Sequence, residues 1–199
     1  MRIRQLLVTI SLTLFILTAE AQILFIPNSS LLTGSYGSPA CVVDMNGDHL
    51  DDVVRMSGTT FTVDYQQSDG SFVHEEYLTT SSSGLWSMCA GDLNNDGFND
   101  ILLGDGQHVE FILNDGTGNG FVSQFIPDYI FSQRSTMIDL DTDGWLDAFV
   151  CHDVDQSHPY RNDGTGTMVE DQTLIPTGSN PEGGNYAAIW VDYDNDSDP

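Results

Sequence analysis

The sequence has no lysine and only five arginines, two of which, Arg2 and Arg4, fall in the first four residues. Against them stand 24 Asp and 6 Glu, giving a formal net charge of −25. A chain this acidic lacks the basic footprint that nucleic-acid binding needs and is repelled by anionic lipid surfaces. Cysteine is scarce as well: Cys41, Cys89 and Cys151 are an odd set, so at least one is unpaired within the chain, and none of the spacings of a zinc site occurs. Long apolar runs are reduced to one, Leu6 to Thr18, 13 residues. That is shorter than the roughly 20 residues that cross a bilayer. With Arg2 and Arg4 before it and Ala19-Glu20-Ala21 after it, residues 1–21 read as a secretory signal peptide. The mature chain is then expected to start near Gln22 in an oxidising compartment, secreted or at the cell surface, with no membrane insertion. Helical stripes at i, i+3, i+4 and i+7 are also missing, which points to an all-β fold. Disorder is excluded by a hydrophobic content of 40% with well-spread aromatics.

What the chain does have is aspartate in a fixed pattern. Four segments align without gaps: Asp44-Met-Asn-Gly-Asp-His-Leu-Asp-Asp52, Asp92-Leu-Asn-Asn-Asp-Gly-Phe-Asn-Asp100, Asp139-Leu-Asp-Thr-Asp-Gly-Trp-Leu-Asp147 and Asp192-Tyr-Asp-Asn-Asp-Ser-Asp198. Their first residues are 48, 47 and 53 apart, the period of four-stranded propeller blades. Short apolar runs precede them (Ala40 to Val43, Trp86 to Ala90, Thr136 to Ile138, Ala187 to Val191) and follow the first three (Val53-Val54, Ile101 to Leu103, Ala148 to Val150). Each motif therefore reads as the hairpin turn between strands one and two of a repeat. A second set of turns, Ser68-Asp-Gly70, Asn114-Asp-Gly-Thr-Gly118 and Asn162-Asp-Gly-Thr-Gly166, would join strands three and four. Cys41 and Cys89 occupy equivalent places, three residues before the motif, where Thr136 and Ile189 stand later. They read as buried strand residues rather than disulfide partners.

Asp-x-Asp/Asn-x-Asp brings short side-chain oxygens at positions one, three and five to one point, the ligand type calcium prefers. Position seven adds a backbone carbonyl and position nine a closing carboxylate. Site one would use Asp44, Asn46, Asp48, the carbonyl of Leu50 and Asp52. Site two would use Asp92, Asn94, Asp96, the carbonyl of Phe98 and Asp100. Site three would use Asp139, Asp141, Asp143, the carbonyl of Trp145 and Asp147. Site four keeps Asp192, Asp194, Asp196 and the carbonyl of Asp198 but has no ninth position in the sequence. One calcium per repeat is thus expected, in three complete sites and one truncated. Like charges this close should raise one another's pKa, coupling metal binding to folding. Site three, with one more carboxylate than sites one and two, is expected to bind tightest. Position six is Gly97 and Gly144 but His49 and Ser197 elsewhere; His49 reads as a turn residue in the left-handed region, not a ligand. An EF-hand is excluded, because position 12 is Arg55, Leu103 and Val150 instead of Glu.

The stretch Trp86-Ser-Met-Cys-Ala-Gly-Asp-Leu-Asn-Asn-Asp-Gly-Phe-Asn-Asp-Ile-Leu-Leu-Gly104 resembles the FG-GAP/VCBS repeat family, the blade type of integrin α-subunit propellers. Tyr160-Arg-Asn-Asp-Gly-Thr-Gly166 and Ala187-Ala-Ile-Trp-Val-Asp-Tyr-Asp-Asn-Asp196 are similar to its bacterial and cartilage-acidic-protein branch, which often carries an ASPIC/UnbV domain. The resemblance covers residues 36–199, and His49, Ser197 and the longer spacing to the fourth motif depart from it. It implies a seven- or eight-bladed propeller with calcium loops in many blades. The expected architecture is a partial β-propeller of four-stranded blades with calcium-loop hairpins: a signal peptide (1–21), an orphan strand and linker (22–35), blades at 36–83, 84–130 and 131–182, and the start of a fourth at 183–199. Phe25-Ile26-Pro27 echoes Phe125-Ile126-Pro127, so residues 23–26 read as a fourth strand that completes a blade of a longer chain.

The family includes adhesins, lectin-like modules and accessory domains of glycan-degrading enzymes, and the leading expectation is an adhesion or binding module for a protein or carbohydrate ligand. A glycan-active enzyme such as a polysaccharide lyase is the alternative. No catalytic constellation stands out: His74, His108, His152 and His158 are scattered, and 152–158 read as an exposed loop. Trp86 and Trp190 read as core residues rather than sugar platforms, and Trp145 as packing over its loop.

Overall fold

In a computed structural model of the chain, the structure describes residues 31–32, 39–57, 59–80, 85–118, 120–175 and 183–194. The leader, the strand expected at 23–26, and Asp196 and Asp198 of the fourth motif lie outside these.

Twelve strands form three separate four-stranded antiparallel sheets, each in sequence order. The first holds β1 (Ala40–Val43), β2 (Asp52–Ser57), β3 (Thr60–Gln66) and β4 (Phe72–Leu78). The second holds β5 (Leu85–Gly91), β6 (Asp100–Asp105), β7 (Val109–Asn114) and β8 (Phe121–Ile126). The third holds β9 (Ser132–Ile138), β10 (Asp147–His152), β11 (His158–Asn162) and β12 (Met168–Glu170). A single 3₁₀ turn, Gln172–Leu174, follows. The acidic motifs do fall between strands one and two of each sheet, and the Asn-Asp-Gly turns between strands three and four. Residues 187–191 join no ladder with any described segment, in contrast to the strand expected there.

First strands face one another, β5 lying against both β1 and β9. Side chains alternate across a strand, and the middle sheet uses both faces. Ile101 and Leu103 of β6 pack with Val54, Phe61 and Val63 of the first sheet. Leu102 between them packs with Ala148, Val150 and Tyr160 of the third. All of β6 is consequently buried, which is why it reads as a continuous apolar run rather than an alternating one. The fourth strands are sheet edges and the more exposed for it; β4 carries His74, Glu75 and Glu76 there, and charge on an edge discourages unwanted pairing.

Candidate functional site: acidic loops at one end, aromatics at the other

In the three described acidic loops the short carboxylates first organise their own backbone. Asp44 accepts from the N–H of Asn46, Gly47 and His49. Asp92 accepts from Asp96 and Gly97, and Asp139 from Asp143 and Gly144. Position three accepts from the N–H of position five, at Asn46, Asn94 and Asp141. Position five accepts from that of position seven, at Asp48, Asp96 and Asp143. These bonds curl the chain around the oxygens, and the curl needs two left-handed residues. One is position six, Gly97 (φ 91), Gly144 (φ 94) and His49 (φ 68), as expected. The other, position four, escaped the sequence reading: Gly47, Asn95 and the β-branched Thr142 (φ 59), a costly residue in that region.

Position nine is the deepest. Asp52, Asp100 and Asp147 are fully buried. One oxygen of each accepts from the N–H of position two, in Met45, Leu93 and Leu140. The other accepts from the last residue of strand three, in Gln66, Asn114 and Asn162. Burial pushes the Asp100 carboxyl up to about 6 against the pull of these bonds, with Asp96 and Asp92 adding to the rise. Asp52 and Asp147 are raised for the same reason. Loss of water, more than the like-charge repulsion the sequence suggested, is what disfavours the ionised form here.

The asparagine that opens each later Asn-Asp-Gly turn links successive sheets. Asn114 Nδ2 donates to the Met45 carbonyl of the preceding loop at 3.0 Å, and Asn162 Nδ2 to the Leu93 carbonyl at 2.6 Å. Their Oδ1 atoms accept from Gly118 and Gly166. Asn99 adds a bond to the Asp44 carbonyl at 2.7 Å. Position two is thus committed three ways: its N–H to its own loop, its carbonyl to the next sheet, and its side chain, Met45 or Leu93, to the core between sheets. The first sheet has Gln66 where the others have Asn. A repeated Asn against a single Gln was the sequence signal for this link, but it was read only as turn chemistry. Gly118 is required by the same approach, since a Cβ there would stand 2.9 Å from Asn46 Cα.

Metal-ligand geometry is most developed in the third loop, where one oxygen each from Asp139, Asp141 and Asp147 lie within 4.8 Å of one another. An all-oxygen set of this kind suits a hard divalent cation such as calcium. Loops one and two have the neutral Asn46 and Asn94 in place of Asp141. Asp141 is also contacted by the Arg161 guanidinium, which the sequence reading did not connect to the loop. In the fourth motif Asp192 and Asp194 are exposed.

The opposite end of the sheets is different in kind. Trp86 is 53% exposed, at a register shift in β5, with its ring edge-on to Phe131 at 5.7 Å. Tyr129 is 54% exposed. Trp86 is therefore not the core residue expected; the bulge turns it out of the inner strand. Residues 152–158 are not simply an exposed loop either. His152 ends β10, buried, and its Nδ1 accepts from Val154 N–H. It stacks at 5.7 Å on His158, which opens β11 and lies 3.2 Å from Glu170. Burial and the neighbouring His158 hold the His152 pKa below its ordinary value. Trp190 is half-buried against Phe149, lining a cleft of about 300 Å³ between the third sheet and residues 183–190. Trp145, expected to pack over its own loop, lies against Gly164 of the turn between β11 and β12.

A model of the FG-GAP-like repeat matches three overlapping stretches, residues 44–103, 92–150 and 139–199. The chain belongs to the FG-GAP-like repeat family. Each matched stretch starts at the first aspartate of an acidic loop and runs into the next, so the FG-GAP unit spans the sheet-to-sheet links as well as one sheet. No curated protein matches the chain. Among solved structures, one titled for specific recognition of non-reducing terminal N-acetylglucosamine by an Agrocybe aegerita lectin matches with a TM-score of 0.51 and 21% identity. The match covers 66% of this chain and 36% of that one. The likeness is one of fold, and it identifies the three sheets as blades of a partial β-propeller. No helix among the described residues is long and apolar enough to cross a membrane.

Proposed function

We propose that this FG-GAP chain is the calcium-stabilised part of an exported propeller that binds carbohydrate at the end away from its acidic loops, in an adhesion or capture role. The observation that carries the reading is Trp86: an indole turned outward with its ring against Phe131, on blades whose other end is occupied with internal bonds. Exposed aromatic faces offer sugars apolar contact, while nearby polar groups fix orientation. The solved lectin of the same fold is in keeping with that ligand class. Blades at 36–83, 84–130 and 131–182, with a fourth begun at 183–199, and residues 1–21 as a leader complete the proposed organisation. Calcium would be held by Asp44, Asn46, Asp48 and Asp52, by Asp92, Asn94, Asp96 and Asp100, by Asp139, Asp141, Asp143 and Asp147, and by Asp192, Asp194 and Asp196, with backbone carbonyls at Leu50, Phe98, Trp145 and Asp198. Bound there, it supplies positive charge that offsets buried carboxylates. The test is a glycan array probed with the full chain, with and without calcium, beside Trp86→Ala. Binding that the alanine variant loses is expected; glycan binding indifferent to Trp86, or none at all, overturns the carbohydrate reading.

A further inference from the structure

The extra carboxylate of the third acidic loop is matched by an arginine that touches it. Arg161, next to last in β11, places Nη1 on Asp141 Oδ2 and donates from Nε to Asp171 Oδ2 at 2.9 Å. Asp171 is itself fixed by its other oxygen, which accepts from the N–H and hydroxyl of Thr173. Tyr65 and Leu113 stand at the corresponding place in the first two blades, where position three is the neutral Asn46 or Asn94. Loops one and two carry three ligand aspartates each; loop three carries four, and Arg161 brings it back to three net negative charges. Carboxylate and cation enter the repeat together.

Resting on the calcium reading of the loops, we infer that Arg161 is a resident counter-cation that sets the third site's affinity for its divalent ion. Without metal the guanidinium neutralises Asp141. A cation drawing on Asp141 meets a positive charge already in place, and Asp171 is the carboxylate to which the guanidinium withdraws. The third loop is therefore not the tightest of the complete sites, despite its extra aspartate. Two substitutions have opposite effects. Arg161→Met removes the competitor and tightens binding roughly tenfold, the factor that a unit charge about 6 Å from a divalent ion gives in a water-like dielectric. Asp171→Asn removes the alternative partner while keeping the oxygen that caps Thr173, and weakens binding.

The third loop can be told apart, because Trp145 at its seventh position sensitises terbium luminescence far better than Leu50 or Phe98, and the Trp145→Phe difference removes any signal from Trp190 beside the fourth motif. Full-length wild type, Arg161→Met and Asp171→Asn are titrated with terbium and then competed with calcium, using Trp145→Phe to identify the loop-three signal. Tighter binding in the methionine variant and weaker binding in the asparagine variant support the inference. Unchanged or weaker binding in Arg161→Met, with clear wild-type binding, overturns it and leaves the calcium reading standing. If no variant shows Trp145-dependent binding, the third loop holds no cation and both readings fall. Should Arg161→Met not fold, Asp171→Asn decides alone, and unchanged affinity there is a refutation.

Discussion

Asn162→Ala removes four hydrogen bonds at one buried position. Its Nδ2 donates to the carbonyls of Leu93 and Leu146, and its Oδ1 accepts from Gly164 and Gly166. Asn162 is 2% exposed and Leu93 is fully buried, and Gly166 is also enclosed. The Leu93 carbonyl and the Gly166 N–H are therefore the two groups left without water or partner. An orphaned buried group costs about 1–3 kcal/mol, so the variant should lose roughly 2–6 kcal/mol in all. For a chain of this size that is a fall in Tm of roughly 5–15 °C. Asp163→Ala, one residue on, is the control: Asp163 is exposed and bonds only to its near neighbours Thr165 and Thr167. Its loss should stay within about 0.5 kcal/mol, the usual range of surface changes. Equilibrium urea denaturation of the full chain, comparing the two variants, measures the difference. If Asn162→Ala and Asp163→Ala are equally mild, the sheet-to-sheet bond contributes no stability and the linkage described above is wrong.

Chelating calcium should lower the Tm of the full chain by several degrees, since one site at a hundredfold excess over Kd contributes about 2.7 kcal/mol; an unchanged melt in excess chelator defeats the structural role. Leu93→Ala should cost about 2–5 kcal/mol through the cavity it opens between the second and third sheets, whereas Tyr193→Ala at the same motif position, 93% exposed, should be nearly silent in the same denaturation assay. His74 bonds Asp64 and Glu76, and the Asp64 bond holds its pKa above the ordinary histidine value. Its stabilisation is thus complete below the unfolded value and is lost as pH rises through the folded one. The stability gap between wild type and His74→Gln should therefore be widest below the ordinary histidine value and close as pH rises above it; a gap that widens with pH contradicts the assignment.

The repeat made much of this fold legible in one dimension. A motif recurring every 47 to 53 residues, with strand-length apolar runs on either side, located the hairpins and their turns, because these depend on neighbours within about ten residues. The left-handed His49 was readable for the same reason. What could not be read depended on residues far apart in the chain. Asn114 reaches a carbonyl 69 residues away, Arg161 meets Asp141 from across a hairpin, and His152 and His158, written as a loop, become a buried stack. Trp86 looked like core because it lies in the apolar run of an inner strand, and only the shift in register between β5 and β6 turns it outward.

The sequence by itself therefore determined the blade type and the composition of each acidic loop, since local turn chemistry and strand patterning are properties of short segments. Tertiary structure alone decided that the ninth-position aspartates are buried, that position two joins one blade to the next, and that the third loop carries its own positive charge. Burial and long-range hydrogen bonds exist only when one sheet is laid against another, and no single repeat contains the surface that creates them.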